Sequence, residues 1–208
     1  MYFYDKATNG FYIEGLHEIP ADATEIDEES YRNLLEGQAT GKQIIANKQG
    51  NPVLVDPQPS AAHKLNLDTL TWEISAEKQT ALLADTQTRL IGNIDEHAAT
   101  IYNTWTRFES EYRERQTAAE TYKAANYQGN CSRYITDFAK RAGLNNKAAT
   151  DLILVQAAGL EKLQVELANQ RMRKYELKAP NLKLEQMQSI YDDIIKQMDH
   201  LMEAYNNG

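Results

Sequence analysis

At 208 residues, with 42% hydrophobic and 25% charged side chains, the chain is long enough for one large domain or two small ones, with a globular composition. Its formal net charge of −8 is uneven: residues 1–60 hold 4 Lys+Arg against 10 Asp+Glu, and the remainder 18 against 20. Phosphate backbones are bound by clustered cations, so nucleic acid is not an expected partner. Nor is a membrane, because the longest strongly apolar run, residues 152–155, is far short of the ~20 residues of a span.

The start, "MYFYDKATNG", lacks the cationic region and apolar run of a signal peptide. A single cysteine, Cys131, allows no intramolecular disulfide and fits a cytosolic setting, where it is expected to be a structural, packed residue. Turn formers crowd the first 60 residues, and no proline occurs between Pro59 and Pro180. The expected fold class is α+β: a β-rich module over residues 1–57, a linker over 58–74 with room for short strands, and a long-helix bundle over 75–208.

In chain order, "YFYDKATNGFYIEG" reads as a hairpin whose turn takes its positive φ angles from Asn9-Gly10. "DEESYRNLLEG" reads as a short helix, with Asp27 or Glu28 at its N-terminus and Gly37 following its end. "KQIIANKQGNPVLVDP" reads as a second hairpin turning at Gly50-Asn51-Pro52, and "LNLDTLTWEI" as one further short strand pair packed through Trp72.

From Ser75 the period changes. Positions 84, 87, 91, 94, 98, 101, 105, 108, 112, 115, 119 and 122 step by three and four, and ten of these twelve can be buried. That spacing predicts one helix of some 50 residues along a coiled-coil seam, ~75 Å long at ~1.5 Å per residue. "SRYITDFAKRAGL" predicts a short helix between Ser132 as N-cap and Gly143 as a left-handed stop. Residues 146–178 carry a second seam that Pro180 ends, and "LEQMQSIYDDIIKQMDHLMEAY" carries a third. Such lengths predict an elongated antiparallel bundle.

Chemistry-bearing patterns are sparse. There is no phosphate-binding glycine loop, no H-E-x-x-H, no paired cysteine ligands and no G-x-S-x-G, so no enzyme, metal site or cofactor is expected. Asp192 and Asp193 read as solvent charges. Arg107–Glu111, Glu109–Arg113 and Glu111–Arg115 read as pairs on a helix surface. Arg171, Arg173, Lys174 and Lys178 read as cations complementing a helix C-terminus. The stripe through Trp105, Phe108 and Tyr112 has two readings: core between helices, or an exposed anchor for a partner. Arg115 marks where that seam is expected to meet water or an acidic group.

Residues 1–57 resemble the head of bacteriophage tail fibre assembly proteins. The resemblance rests on Ile19-Pro20-Ala21-Asp22-Ala23, Tyr31, Leu34-Leu35-Glu36-Gly37-Gln38, Gly41-Lys42 and Gly50-Asn51-Pro52-Val53-Leu54, in that order. The helical half resembles phage tail proteins of unassigned role. The resemblance implies a non-enzymatic chaperone of a trimeric tail fibre, acting in the host cell cytoplasm, or else a permanent tail component retained in the particle. The implied partner is a tail fibre protein, with self-association through the helical half. Trp105, Phe108, Tyr112, Tyr12 and Tyr31 are the candidate partner-contacting residues.

Overall fold

The computed structural model describes residues 1–207. It has a small β region followed by a long helical region, and it divides into two compact units, Met1–Leu82 and Leu83–Gly208.

The first unit opens with β1 (Tyr2–Asp5) and β2 (Gly10–Ile13), antiparallel, with Tyr2 opposite Ile13 and Asp5 opposite Gly10. Their turn differs from the expected two-residue form. Gly10 is already paired, and Asn9 alone takes a positive φ (51°), held by the Tyr4 hydroxyl, which donates to Asn9 Oδ1 at 2.7 Å. Asp5 closes the loop by accepting from the Ala7 and Thr8 amides. A third strand, β3 (Thr24–Ile26), pairs with the other edge of β1. Nothing in the three residues "TEI" announces it. The next residue, Asp27, caps α1 (Glu28–Ala39), accepting from the Ser30 amide at 2.7 Å.

Gly37 does not follow that helix but lies inside it. α1 packs on the hairpin of β4 (Gln43–Ala46) and β5 (Pro52–Val55), and a Cβ at Gly37 would collide with the Leu54 side chain. Glycine here is a close-approach residue. The hairpin turn covers residues 47–51, with Gly50 at φ 88° and Asn47 Oδ1 accepting from the Gln49 and Asn51 amides. Pro52 belongs to β5 as its first residue, a position where the missing N–H costs the ladder nothing. The expected third pair exists as β6 (Lys64–Asn66) and β7 (Thr71–Glu73). Trp72 stands opposite Leu65 and its indole N–H donates to the Asp56 carbonyl at 2.7 Å.

The single 50-residue helix is corrected to two: α2 (Ala76–Thr106) and α3 (Glu109–Ala124). Phe108 leaves the helical region (φ −121°, ψ 24°), and its amide bonds Trp105 O in a tighter i+3 turn at 3.2 Å. One turn earlier the Thr104 hydroxyl donates to Ile101 O at 2.8 Å, competing for the helix's own acceptors. Two threonines and two aromatics in "TWTRF" give the segment little intrinsic helicity with which to resist. Of the three expected surface pairs only Glu111–Arg115 forms among the described residues, and Arg107 lies across the break from Glu111.

α4 (Arg133–Ala142) keeps both predicted ends, since Ser132 accepts from the Tyr134 amide and Gly143 is left-handed at φ 70°. A Cβ at residue 143 would meet no neighbour, so Gly143→Ala isolates the backbone cost. We expect it to lower stability by ~1 kcal/mol, read as a shift of the urea midpoint with unchanged slope. α5 (Asn146–Met172) is capped by Asn145, and its last stretch, Arg173–Lys178, tightens into a 3-10 segment before Pro180. α6 (Leu184–Asn207) follows.

Two hydrophobic clusters fill the helical unit. One joins Leu90, Ile94, Ala98, Ile101 and Trp105 of α2 to Leu163 and Leu167 of α5, Leu177, and Met187, Ile194 and Met198 of α6. The other joins Ala119 of α3, Ile135 and Ala139 of α4, and Ala149 and Ile153 of α5, with Cys131 packed against it and burial raising its thiol pKa. Burial outside the expected stripe includes Leu90, fully covered, where the seam had placed Ile91. Among the described residues no helix is long and apolar enough to cross a membrane.

Candidate functional site

Three of the four cations at the end of α5, Arg171, Arg173 and Lys174, make specific ion pairs to other helices, beyond the helix-dipole reading, while Lys178 lies over the Tyr175 ring at 5.1 Å. Asp95 on α2 receives Arg171 Nε at 2.6 Å and Lys174 Nζ at 2.7 and 2.6 Å. Burial alone would raise the Asp95 pKa, but the hydrogen bonds from Lys174 and Arg171 outweigh it and hold the carboxyl below its ordinary value. Arg173 donates to Glu176 and, at 2.9 Å, to Asp193 of α6. Asp193 is thus an ion-pair partner, contrary to the solvent reading, and Arg173 holds its pKa down. Gln87 reaches Leu177 O at 2.8 Å, and the His97 ring meets Asp199 at 2.8 Å. These contacts clamp α2, α5 and α6 to one another. With Arg171, Arg173 and Lys174 each matched by a carboxylate inside the protein, the cluster is structural.

The helix break is different. Trp105, the last large residue of α2, is 5% exposed, and its ring meets Tyr102 edge-on at 5.3 Å. Phe108, in the break, is 49% exposed with the Arg107 guanidinium over its ring. Tyr112, on α3, is 38% exposed. The three therefore do not lie on one continuous helix, because residues 107 and 108 interrupt it between them. Trp105 and Tyr112 still converge on one cavity of about 360 Å³, whose walls also include Arg115, Ile153, Leu160, Met202 and Tyr205. Phe108 is not among its lining residues. The cavity lies where the two hydrophobic clusters meet, since Trp105 belongs to one and Ile153 to the other. Arg115 is half-buried and joined to Glu111, with its guanidinium 6.0 Å from the Phe138 ring.

The two candidate tyrosines of the first unit have local roles. Tyr31 stacks on Tyr2 at 4.3 Å and meets Phe11 edge-on at 5.1 Å, which ties α1 to the three-stranded sheet. Tyr12 is half-buried, its hydroxyl 3.2 Å from Thr8 Oγ1 and its ring against His17. Sequence reasoning missed Met202 as a wall of the cavity. Its residues come from three distant stretches, and only Arg115, a charge on a mostly apolar line, hinted at a special environment. Among the described residues there is no group of three or more His, Cys, Asp or Glu placed to hold a metal ion.

Neither a known family profile nor a solved structure matches the chain. It is 38% identical over 86 residues to a probable tail fiber assembly protein of Shigella phage SfV, a match covering 40% of this chain and 48% of that one. It is 43% identical over 204 residues to an uncharacterized 23.3 kDa protein, in the lys 3' region, of Haemophilus phage HP1, with 98% of each chain covered. At that identity and coverage, the chain belongs to the same family as the phage HP1 23.3 kDa protein.

Proposed function

We propose that the chain is a non-enzymatic assembly factor for a phage tail fibre. The observation that carries this reading is the 86-residue similarity to a probable tail fiber assembly protein. In this reading the β-rich module over residues 1–57 engages the distal part of a trimeric fibre in the host cytoplasm. The helical half, arranged as an elongated antiparallel bundle, self-associates or holds the module in place. Tyr12 and Tyr31, with the exposed Phe108 and Tyr112, are the side chains assigned to partner contact; Trp105, also a candidate, is buried within the helical unit. Co-expression with the neighbouring fibre gene should raise the yield of soluble, trimeric fibre. Equal solubility and trimerisation without the protein would end the chaperone reading.

A second reading, a permanent tail component attached to fibre or baseplate, draws on the share of the chain outside that match. The match covers 40% of the chain, and the remainder is free to serve as a lasting attachment. Protein counting by mass spectrometry on purified particles separates the two. Fixed stoichiometry in the particle supports the structural role, and absence from it leaves the transient one.

A further inference from the structure

Two buried side-chain nitrogens in the helical unit have no hydrogen-bond partner among the described residues: Trp105 Nε1 and Arg115 Nε. Both belong to side chains that line the same cavity. Buried polar groups are normally satisfied, and each exception calls for a physical reason. Trp105 is 5% exposed, so bulk solvent does not reach its indole nitrogen. Arg115 spends one terminal nitrogen on Glu111, which leaves the inner nitrogen of its fork unmatched.

The rest of the lining defines what would match them. In a chain of net charge −8, no Asp or Glu lines this cavity, and Arg115 is its one charged side chain. Ile153, Leu160 and Met202 give it an apolar wall. At about 360 Å³ it falls in the ~300–1,000 Å³ range of small-ligand sites, where an apolar lining with a few placed polar groups fixes orientation. An ammonium would face the guanidinium and bring donors to a site already long of donors. An acceptor-only anion does the reverse, and charge-assisted hydrogen bonds to it are about twice as strong as neutral ones.

We propose that this cavity binds a carboxylate carried on a short apolar stem. The carboxylate accepts from the Trp105 indole and the Arg115 guanidinium, and the stem lies against Ile153, Leu160 and Met202. Neither nitrogen has surface open to the cavity in this state, so the carboxylate reaches them only as the lining side chains shift. The inference does not depend on the fibre reading, since it rests only on donors, charge and volume. Such a group has two sources, the C-terminal residue of a polypeptide and a free small acid.

The two tryptophans make the test direct. Trp72 already donates its indole N–H to Asp56 and serves as the internal reference. The full chain, labelled with nitrogen-15, is titrated with N-acetyl-L-leucine, 4-methylpentanoate and N-acetyl-L-leucinamide while both indole resonances are followed. Either carboxylate at millimolar concentration should move the Trp105 proton downfield and leave Trp72 in place. The amide should bind at least about tenfold more weakly, the loss of roughly one charge-assisted bond. Tighter binding of N-acetyl-L-leucine identifies a chain end as the source; equal or tighter binding of 4-methylpentanoate identifies a free acid. Ala157→Leu, which fills the cavity, should abolish the shift with the thermal unfolding transition retained. Absence of a Trp105 shift with both carboxylates overturns the proposal. So does equal binding of the amide, or unchanged binding in Ala157→Leu.

Discussion

Trp105→Ala should destabilise the isolated chain by ~3–5 kcal/mol, the range for removing a large aromatic from a packed interior. Trp105 is buried within one chain, in the cluster with Ile101, Leu163 and Met198, so its loss leaves a hole that those neighbours fill only in part. Phe108→Ala should cost under ~1 kcal/mol, because half of its surface is already in water. Urea unfolding of both variants, with sedimentation on the same samples, separates folding from association. Equal destabilisation would show that Phe108 is covered in solution, most simply by a second copy. A small effect for Trp105→Ala would show that the end of α2 is not packed as described.

Removing the Asp95 carboxylate should cost ~2–3 kcal/mol. Lys174 has 9% of its side chain exposed, and Asp95→Ala strands its ammonium in the interior together with part of Arg171. Breaking a fully buried pair typically costs ~3–5 kcal/mol, and the lower figure here reflects the 35% exposure of the Asp95 side chain. The double change Asp95→Leu with Lys174→Met should recover most of the loss, since neither charge is then left unpaired. The pH dependence follows from the depressed Asp95 pKa. Its contribution is complete above the unfolded value of ~3.9, and is lost as pH falls through the folded value. The gap between wild type and Asp95→Ala should therefore narrow on acidification below about pH 4. A gap that stayed constant to pH 2 would remove the ion pair from the account.

Local signals with a fixed chemical cause were legible in the sequence. Ser132 and Gly143 mark the two ends of α4, Pro180 stops the α5 stretch, and Leu163, Leu167, Met187, Ile194 and Met198 are buried where helical spacing puts them. The failures have causes of their own. The break at Phe108 preserves the three-and-four step, so periodicity cannot see it; the conformation of one residue and the Thr104 hydroxyl decide it. β3 is three residues long, and what makes it a strand is an edge of β1 some twenty residues away. Gly37 looks like a terminator until Leu54 is placed against it. The Asp95–Lys174 pair spans 79 positions, and the cavity gathers Trp105, Ile153 and Met202 from three helices. Contacts of that kind belong to the fold and leave no local trace.

The interruption between α2 and α3 also bears on how the helical unit comes apart. An unbroken helix would couple everything along it into a single melting transition. Here the backbone hydrogen-bond ladder stops at residue 107, and the apolar interior on either side is separate, with α5 as the element common to both. Opening of α3 and α4 would expose the smaller interior without unwinding α2 or α6, and is expected to be a partial, lower-energy excursion from the native state. The wall formed by Tyr112 and Arg115 travels with that excursion, while Trp105 and Met202 stay behind with the larger interior.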